Sequence, residues 1–178
     1  LIRGGEPGQE SRVAPREGHS SRVRSGQAGP HSRLCEVVLR HLETPSRRPI
    51  APHTARAFEA LREVLAEAPL RPLVFDFGCG TGASTHRLAH LHPAAWVVGV
   101  DQSAHRLGVS EGLRRHGERV VLLRAEQTDL WRLLARAGFR LGASYLLYPN
   151  PWPKARHLRR RVHGHPAFPA LLALGGRL

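Results

Sequence analysis

The sequence predicts a doubly wound α/β domain, a mostly parallel sheet with helices on both faces. Three observations carry that prediction. Short runs at 73–77, 96–100, 120–123 and 143–148 are each nearly continuous in apolar residues, as strands buried on both faces are. Between them lie segments whose apolar residues recur at spacings of three and four. The first run turns directly into Gly78-Cys79-Gly80-Thr81-Gly82 and then into a helical pattern, the order expected of a βαβ unit.

Taken in order, residues 1–33 are rich in Gly, Ser, Pro and Arg with almost no aliphatic periodicity, and read as a disordered basic arm. Residues 34–53 hold a short helix, through Leu34, Val37, Val38 and Leu42, and a connector punctuated by Pro45, Pro49 and Pro52. The domain proper is expected over 54–178. Thr54 is placed to cap a helix over 54–68, whose apolar face is Phe58, Leu61, Val64, Leu65 and Ala68 and which Pro69 ends. A second helix follows the Gly-rich turn over 83–92, and Asp101 closes the second strand. A weaker helical pattern spans 104–115. The third strand is followed by Ala125 and Glu126, a helix over 130–137 stops at Gly138, and the fourth strand is expected over 143–148. Beyond it, Pro149, Pro151 and Pro153 deny a regular ladder and predict an extended loop. A last helix over 168–174 is capped by Gly175 and Gly176.

Charge narrows the partners. The net charge of +13 and the pI near 11.6 favour a polyanion, nucleic acid first and an anionic membrane surface second. Lys154 is the one lysine among 27 basic residues, so composition bias explains the choice of arginine; it does not explain the excess over 14 acidic residues. No apolar run approaches the roughly 18 residues of a membrane span, and the first residues lack the apolar stretch of a signal peptide. Cys35 and Cys79 have neither framework nor metal spacing, which suits a reducing cytoplasm. Methionine is absent, and residues 175–178 look like the entry to a strand, so a piece of a longer protein is expected.

In doubly wound sheets ligands sit beyond the carboxyl ends of the strands. Polar elements occupy four successive strand ends here: Asp76 to Gly82, Asp101, Glu126, and the stretch 148–161. At Gly78, Gly80 and Gly82 the backbone can pass close to a ligand, and the helix start behind them attracts negative charge. Asp101, 19 residues past Gly82, is spaced to reach ribose hydroxyls. Gly78-x-Gly80-x-x-Ala83 also fits a dinucleotide fingerprint, which would make the protein an NAD-dependent oxidoreductase. Against that, the carboxylate of Asp76 would repel a pyrophosphate but suits a cationic or zwitterionic ligand, of which S-adenosyl-L-methionine is one. In the stretch 148–161, Asn150 and Trp152 stand beside five cations, a set able to grip a nucleobase and its phosphates; the bland alternative is a solvated linker. Trp152 can stack on a base or pack beneath the loop. His157 suits phosphate contact better than proton transfer, and Trp131 reads as core. Cys79 suits packing better than nucleophilic chemistry. His163 and His165 lack a matching carboxylate or thiol, so no metal site is expected.

Val74-Phe75-Asp76-Phe77-Gly78-Cys79-Gly80-Thr81-Gly82 resembles the first motif of class I S-adenosylmethionine-dependent methyltransferases. Pro149-Asn150-Pro151-Trp152-Pro153-Lys154, continuing through Arg156, His157, Arg159, Arg160 and Arg161, resembles the signature of the bacterial tRNA (guanine-N7)-methyltransferase family. The resemblance covers roughly residues 54–178. It implies a Rossmann-like class I methyltransferase fold whose last strands are missing, S-adenosyl-L-methionine as cofactor, and tRNA or another RNA as partner. It further implies that Asp76 faces the cofactor's methionine end, that Gly78, Cys79, Gly80 and Gly82 line the cofactor, that Asp101 takes the ribose hydroxyls and that Glu126 stands near adenine. Asn150 would act at the target base, with Trp152, Lys154, His157, Arg159 and Arg160 on the RNA. Where the family carries an acidic residue, this chain has Asn150. Asn150-Pro151-Trp152 also resembles the Asn-Pro-Pro-aromatic motif of amino-nitrogen methyltransferases, so methylation of a nucleobase or glutamine nitrogen is the alternative activity. A catalytically impaired RNA- or cofactor-binding relative is the alternative of another class.

Overall fold

The computed structural model describes residues 29–178. Most of the expected basic arm, residues 1–28, lies outside the described residues. Helices α1 (Leu34–Glu43) and α2 (Pro52–Ala66) precede β1 (Leu73–Phe77). Then come α3 (Ala83–Leu91), β2 (Trp96–Asp101), α4 (Ala104–Leu107), β3 (Leu113–His116) and β4 (Val120–Arg124). The chain continues through α5 (Gln127–Arg136), β5 (Ala143–Tyr145), two 3-10 turns (Ala155–Arg160, Val162–Gly164) and α6 (Phe168–Ala173). The five strands lie in the order β3-β4-β2-β1-β5, parallel except for β3. Arg177 adds a parallel bridge to Ala143 beyond β5.

Strand parity divides the core. Phe75 and Phe77, Trp96, Val98 and Val100, and Val121 and Leu123 face the layer of α2, α5 and α6. Val74, Val97 and Val120 meet Leu88 and Ala89 of α3 on the other face, and Leu122 meets Leu107 of α4. Successive side chains of a strand point to opposite faces, so a strand covered on both must be apolar throughout. Trp131 is fully buried, edge-on to Phe77 at 5.7 Å between centroids.

Several local expectations change. The helix expected over 104–115 stops at Leu107, because Gly108 takes the left-handed conformation (φ +62°) and its N–H bonds back to Ala104 and His105. Residues 113–116 instead pair antiparallel with β4 as a short edge strand, and its Arg114 and Arg115 deter pairing with another chain. Thr54 does not cap α2, which starts at Pro52; its hydroxyl accepts from the Glu126 amide at 2.9 Å. In α1, Leu42 is exposed and His41 is buried. β5 ends at Tyr145, where its register with β1 runs out at Asp76, so 146–148 leave the sheet. The basic run is not extended throughout, since Ala155–Arg160 coil into a 3-10 turn anchored by buried Leu158.

α5 begins at Gln127, earlier than the expected 130, because Glu126 caps it: Oε2 accepts from the amide of Asp129 at 2.9 Å and the hydroxyl of Thr128. The same helix end fastens the connector. Asp129 accepts from the Ala51 amide (2.9 Å) and from Arg132 (3.2 Å), and Arg132 donates to the Ser46 carbonyl (3.1 Å). Both charged groups of that ion pair are buried, and the pair is kept by these extra bonds to backbone. Among the described residues no helix is long and apolar enough to cross a membrane.

Candidate active site

Three left-handed glycines make the turn after β1. Gly78, Gly80 and Gly82 have φ of +83°, +61° and +87°, a region costly for residues with a Cβ. A Cβ at Gly82 would also lie 2.8 Å from Leu122 Cδ2, so β4 and the turn can approach this closely only over glycine. The turn is pinned to β2, since the amides of Gly78 and Cys79 both donate to the Val100 carbonyl, at 2.8 and 3.0 Å.

Asp101 completes the pinning and is nearly buried. Oδ2 accepts from the Gly80 amide at 3.0 Å, and Oδ1 accepts from the Ser103 amide at 2.8 Å and from Arg106 at 3.0 Å. A carboxylate at a strand end thus holds the Gly-rich turn and the start of α4 together. The Arg106 side chain is half exposed, so its ion pair adds about 0–1 kcal/mol; the two amide bonds are the larger contribution.

The carboxyl ends of β1, β2, β4 and β5 surround a cleft of about 230 Å³. Gly78, Asp101 and Glu126 line it together with Asn150, Trp152 and Arg160. A larger hollow, about 540 Å³, opens at the opposite sheet end between α2 and the turn before β5. Location outweighs volume here, because ligands of open α/β sheets bind beyond the carboxyl ends.

The other expected site residues stand outside that lining. Asp76 points under α3, where Oδ2 accepts from the hydroxyls of Ser84 (2.6 Å) and Thr85 (2.8 Å) while Oδ1 is buried without a partner. Cys79 packs with Leu107, Val109 and Leu122. Burial, and then the charge of Asp76, push its thiol up to about 12, so it stays protonated and inert as a nucleophile. Gly80 and Gly82 shape the turn from behind. Lys154 and Arg159 are exposed on the outer flank of the 148–161 segment.

His157 lies edge-on to Trp152, centroids 5.4 Å apart, and the Arg160 guanidinium sits over the Trp152 ring at 4.9 Å. Desolvation first, then the neighbouring Arg160, Arg156, Lys154 and Arg161, lower the His157 pKa. These causes favour the neutral form of the ring, a hydrogen-bonding group rather than a cation. Sequence reasoning did not single out Gln102, Arg106, Gln127 or Tyr148, which also line the cleft. Gln102 and Gln127 directly follow Asp101 and Glu126, so proximity to a strand-end carboxylate was an available signal.

Comparison with known proteins relates the chain to methyltransferases. A family model described as "Putative methyltransferase" matches residues 70–173. The chain is 38% identical over 105 residues to a tRNA (guanine-N(7)-)-methyltransferase of Burkholderia mallei (strain ATCC 23344), covering 57% of this chain and 39% of that protein. It is 37% identical over 95 residues to the protein of that name from Mycobacterium avium (strain 104), covering 51% and 35%. To that of Treponema pallidum (strain Nichols) it is 34% identical over 113 residues, covering 60% and 44%. The chain therefore spans less than half the length of these relatives. No solved structure matches it significantly.

Proposed function

The chain belongs to the putative methyltransferase family, and from that premise we propose that it is an S-adenosyl-L-methionine-dependent methyltransferase acting on N7 of a guanine in tRNA. One observation carries the reading: the strand-end residues Gly78, Asp101 and Glu126 and the residues Asn150, Trp152 and Arg160 of the segment 148–161 line one cleft. The donor set fits the cofactor. Asp76 stands apart from this set, because its side chain, with Oδ1 unpartnered, is buried outside the cleft lining. Asp101 and the second oxygen of Glu126 offer acceptors to a ribose and a base. The same carboxylates disfavour the pyrophosphate of NAD, and a larger thermal shift with S-adenosylhomocysteine than with NAD is the corresponding check.

The bound cofactor supplies an electrophilic methyl group. Guanine N7 carries an exposed lone pair, so the protein has no proton to remove before transfer; it must align the base and tolerate the positive charge that develops on it. Asn150, exposed and lining the cleft, would accept through its carbonyl from the N–H edge of the guanine. Lys154, Arg156, Arg159 and Arg160 would hold phosphates, and Glu126 would keep its capping bond to α5 while its free oxygen faces the adenine. Names of relatives that act on tRNA and two unpaired cysteines support a cytoplasmic RNA-modifying protein.

Asn150 offers an acceptor without charge. Asn150→Asp restores a charge-assisted bond, typically stronger by roughly 1–2 kcal/mol, so guanine-N7 methyl transfer is expected to rise about tenfold. An unchanged or abolished rate would contradict this role. Asn150-Pro151-Trp152 itself favours a second reading, methylation of an amino nitrogen, in which Asn150→Asp abolishes transfer.

A further inference from the structure

We infer that Tyr148 is a base-stacking residue, a flat platform at the mouth of the cleft on which an unpaired nucleobase lies before Asn150 reads its edge; this rests on the proposed RNA substrate. Tyr148 lines the cleft, yet the residue is 98% exposed. Its backbone is left-handed, at φ +54°, although it carries an aromatic ring and precedes Pro149, a context that favours extended backbone. Burial of the ring does not repay this strain, because the ring is not buried. What accompanies the unusual backbone is exposure of the ring on the cleft, two residues before Asn150.

Trp152, the other aromatic of the segment, is less suited to the task. Its backbone is also left-handed (φ +40°), but the Arg160 guanidinium covers its ring at 4.9 Å, His157 meets it edge-on, and Arg161 donates to its carbonyl at 3.1 Å. Trp152 is clasped as part of the wall, whereas Tyr148 is unclasped. An exposed ring on the cleft that Arg160 also lines, in a segment that carries Lys154, Arg156 and Arg159, calls for a partner with flat apolar faces on a polyanionic backbone. Single-stranded RNA fits, since stacking is open to every base and the cations track its phosphates.

The test uses the full chain and a short oligouridine RNA carrying one 2-aminopurine, at fixed salt. Wild type is expected to quench the 2-aminopurine on binding, and Tyr148→Phe to behave like wild type. Tyr148→Gly, which suits a positive φ, should keep or raise the melting temperature yet bind about tenfold more weakly without quenching. The inference is overturned if wild type does not bind the probe, if it binds without quenching, or if quenching survives in Tyr148→Gly. Methyl transfer to bulk tRNA is measured in parallel on wild type: its absence sinks the guanine-N7 reading while the quenching result still decides the role of Tyr148.

Discussion

Gly99→Ala is expected to destabilise the protein by about 3 kcal/mol and lower the melting temperature by roughly 10 °C. Gly99 lies in β2, and a Cβ there would come 2.3 Å from Thr85 Oγ1, 3.0 Å from Cys79 Sγ and 3.0 Å from Leu122 Cδ2. Overpacking a close-packed core costs about 1–3 kcal/mol. Relief would require moving the Thr85 hydroxyl, which is fully buried and donates to Asp76 at 2.8 Å. A carboxylate that already has one unpartnered oxygen would then lose one of its two donors, at a further cost of about 1–3 kcal/mol. Gly142→Ala is the control, because its Cβ would make only ordinary contacts, the nearest at 3.5 Å. Thermal unfolding of the two variants checks the point. A loss below about 1 kcal/mol for Gly99→Ala would mean that α3 does not sit on β2 as closely as described.

Asp101→Ala is expected to weaken S-adenosylhomocysteine binding at least thirtyfold, read by calorimetry, and Asp101→Asn about tenfold. The carboxylate does two things at once, lining the cleft and holding the amides of Gly80 and Ser103. Alanine leaves both amides without their acceptor, at about 1–3 kcal/mol each where they are buried, and loosens the Gly-rich turn beneath the cofactor. Asparagine keeps one acceptor oxygen but turns an N–H₂ group toward donors. Arg106→Ala separates the contributions: it removes a half-exposed ion pair and a cleft-lining side chain but leaves both amide bonds, so it should weaken affinity less than Asp101→Ala. If Asp101→Ala lowers the melting temperature without changing affinity, Asp101 is a loop anchor and nothing more.

The Gly-rich turn and the strand-end carboxylates were legible because their signals are local and chemically unusual. Three glycines at alternate positions and a carboxylate at the next strand end restrict what can bind, and both features are placed by the strands that precede them. Parity within β1 was a further readable signal: with Phe75 and Phe77 toward α5, Asp76 must face α3. What could not be read depended on distance in sequence. The Thr54 hydroxyl serves Glu126, 72 positions away, a bond that helical capping rules do not anticipate. β3 escaped because four residues with two central arginines satisfy a helical and a strand period equally well; pairing with β4 decided between them. Tyr148 was part of the basic stretch from the start, but its exposure and left-handed backbone are properties of the fold. Of the stretch 148–161, Tyr148, Pro149, Asn150, Trp152 and Arg160 line the cleft. The departure at Asn150 stands where the chemistry is proposed.

The central proposal, methylation of guanine N7 in tRNA, is tested most directly by incubating the full chain with methyl-labelled S-adenosyl-L-methionine and bulk tRNA, then digesting the RNA to nucleosides. Label recovered in 7-methylguanosine is the predicted result. Label in an exocyclically methylated nucleoside or in protein, or cofactor binding with no transfer to RNA, would contradict it.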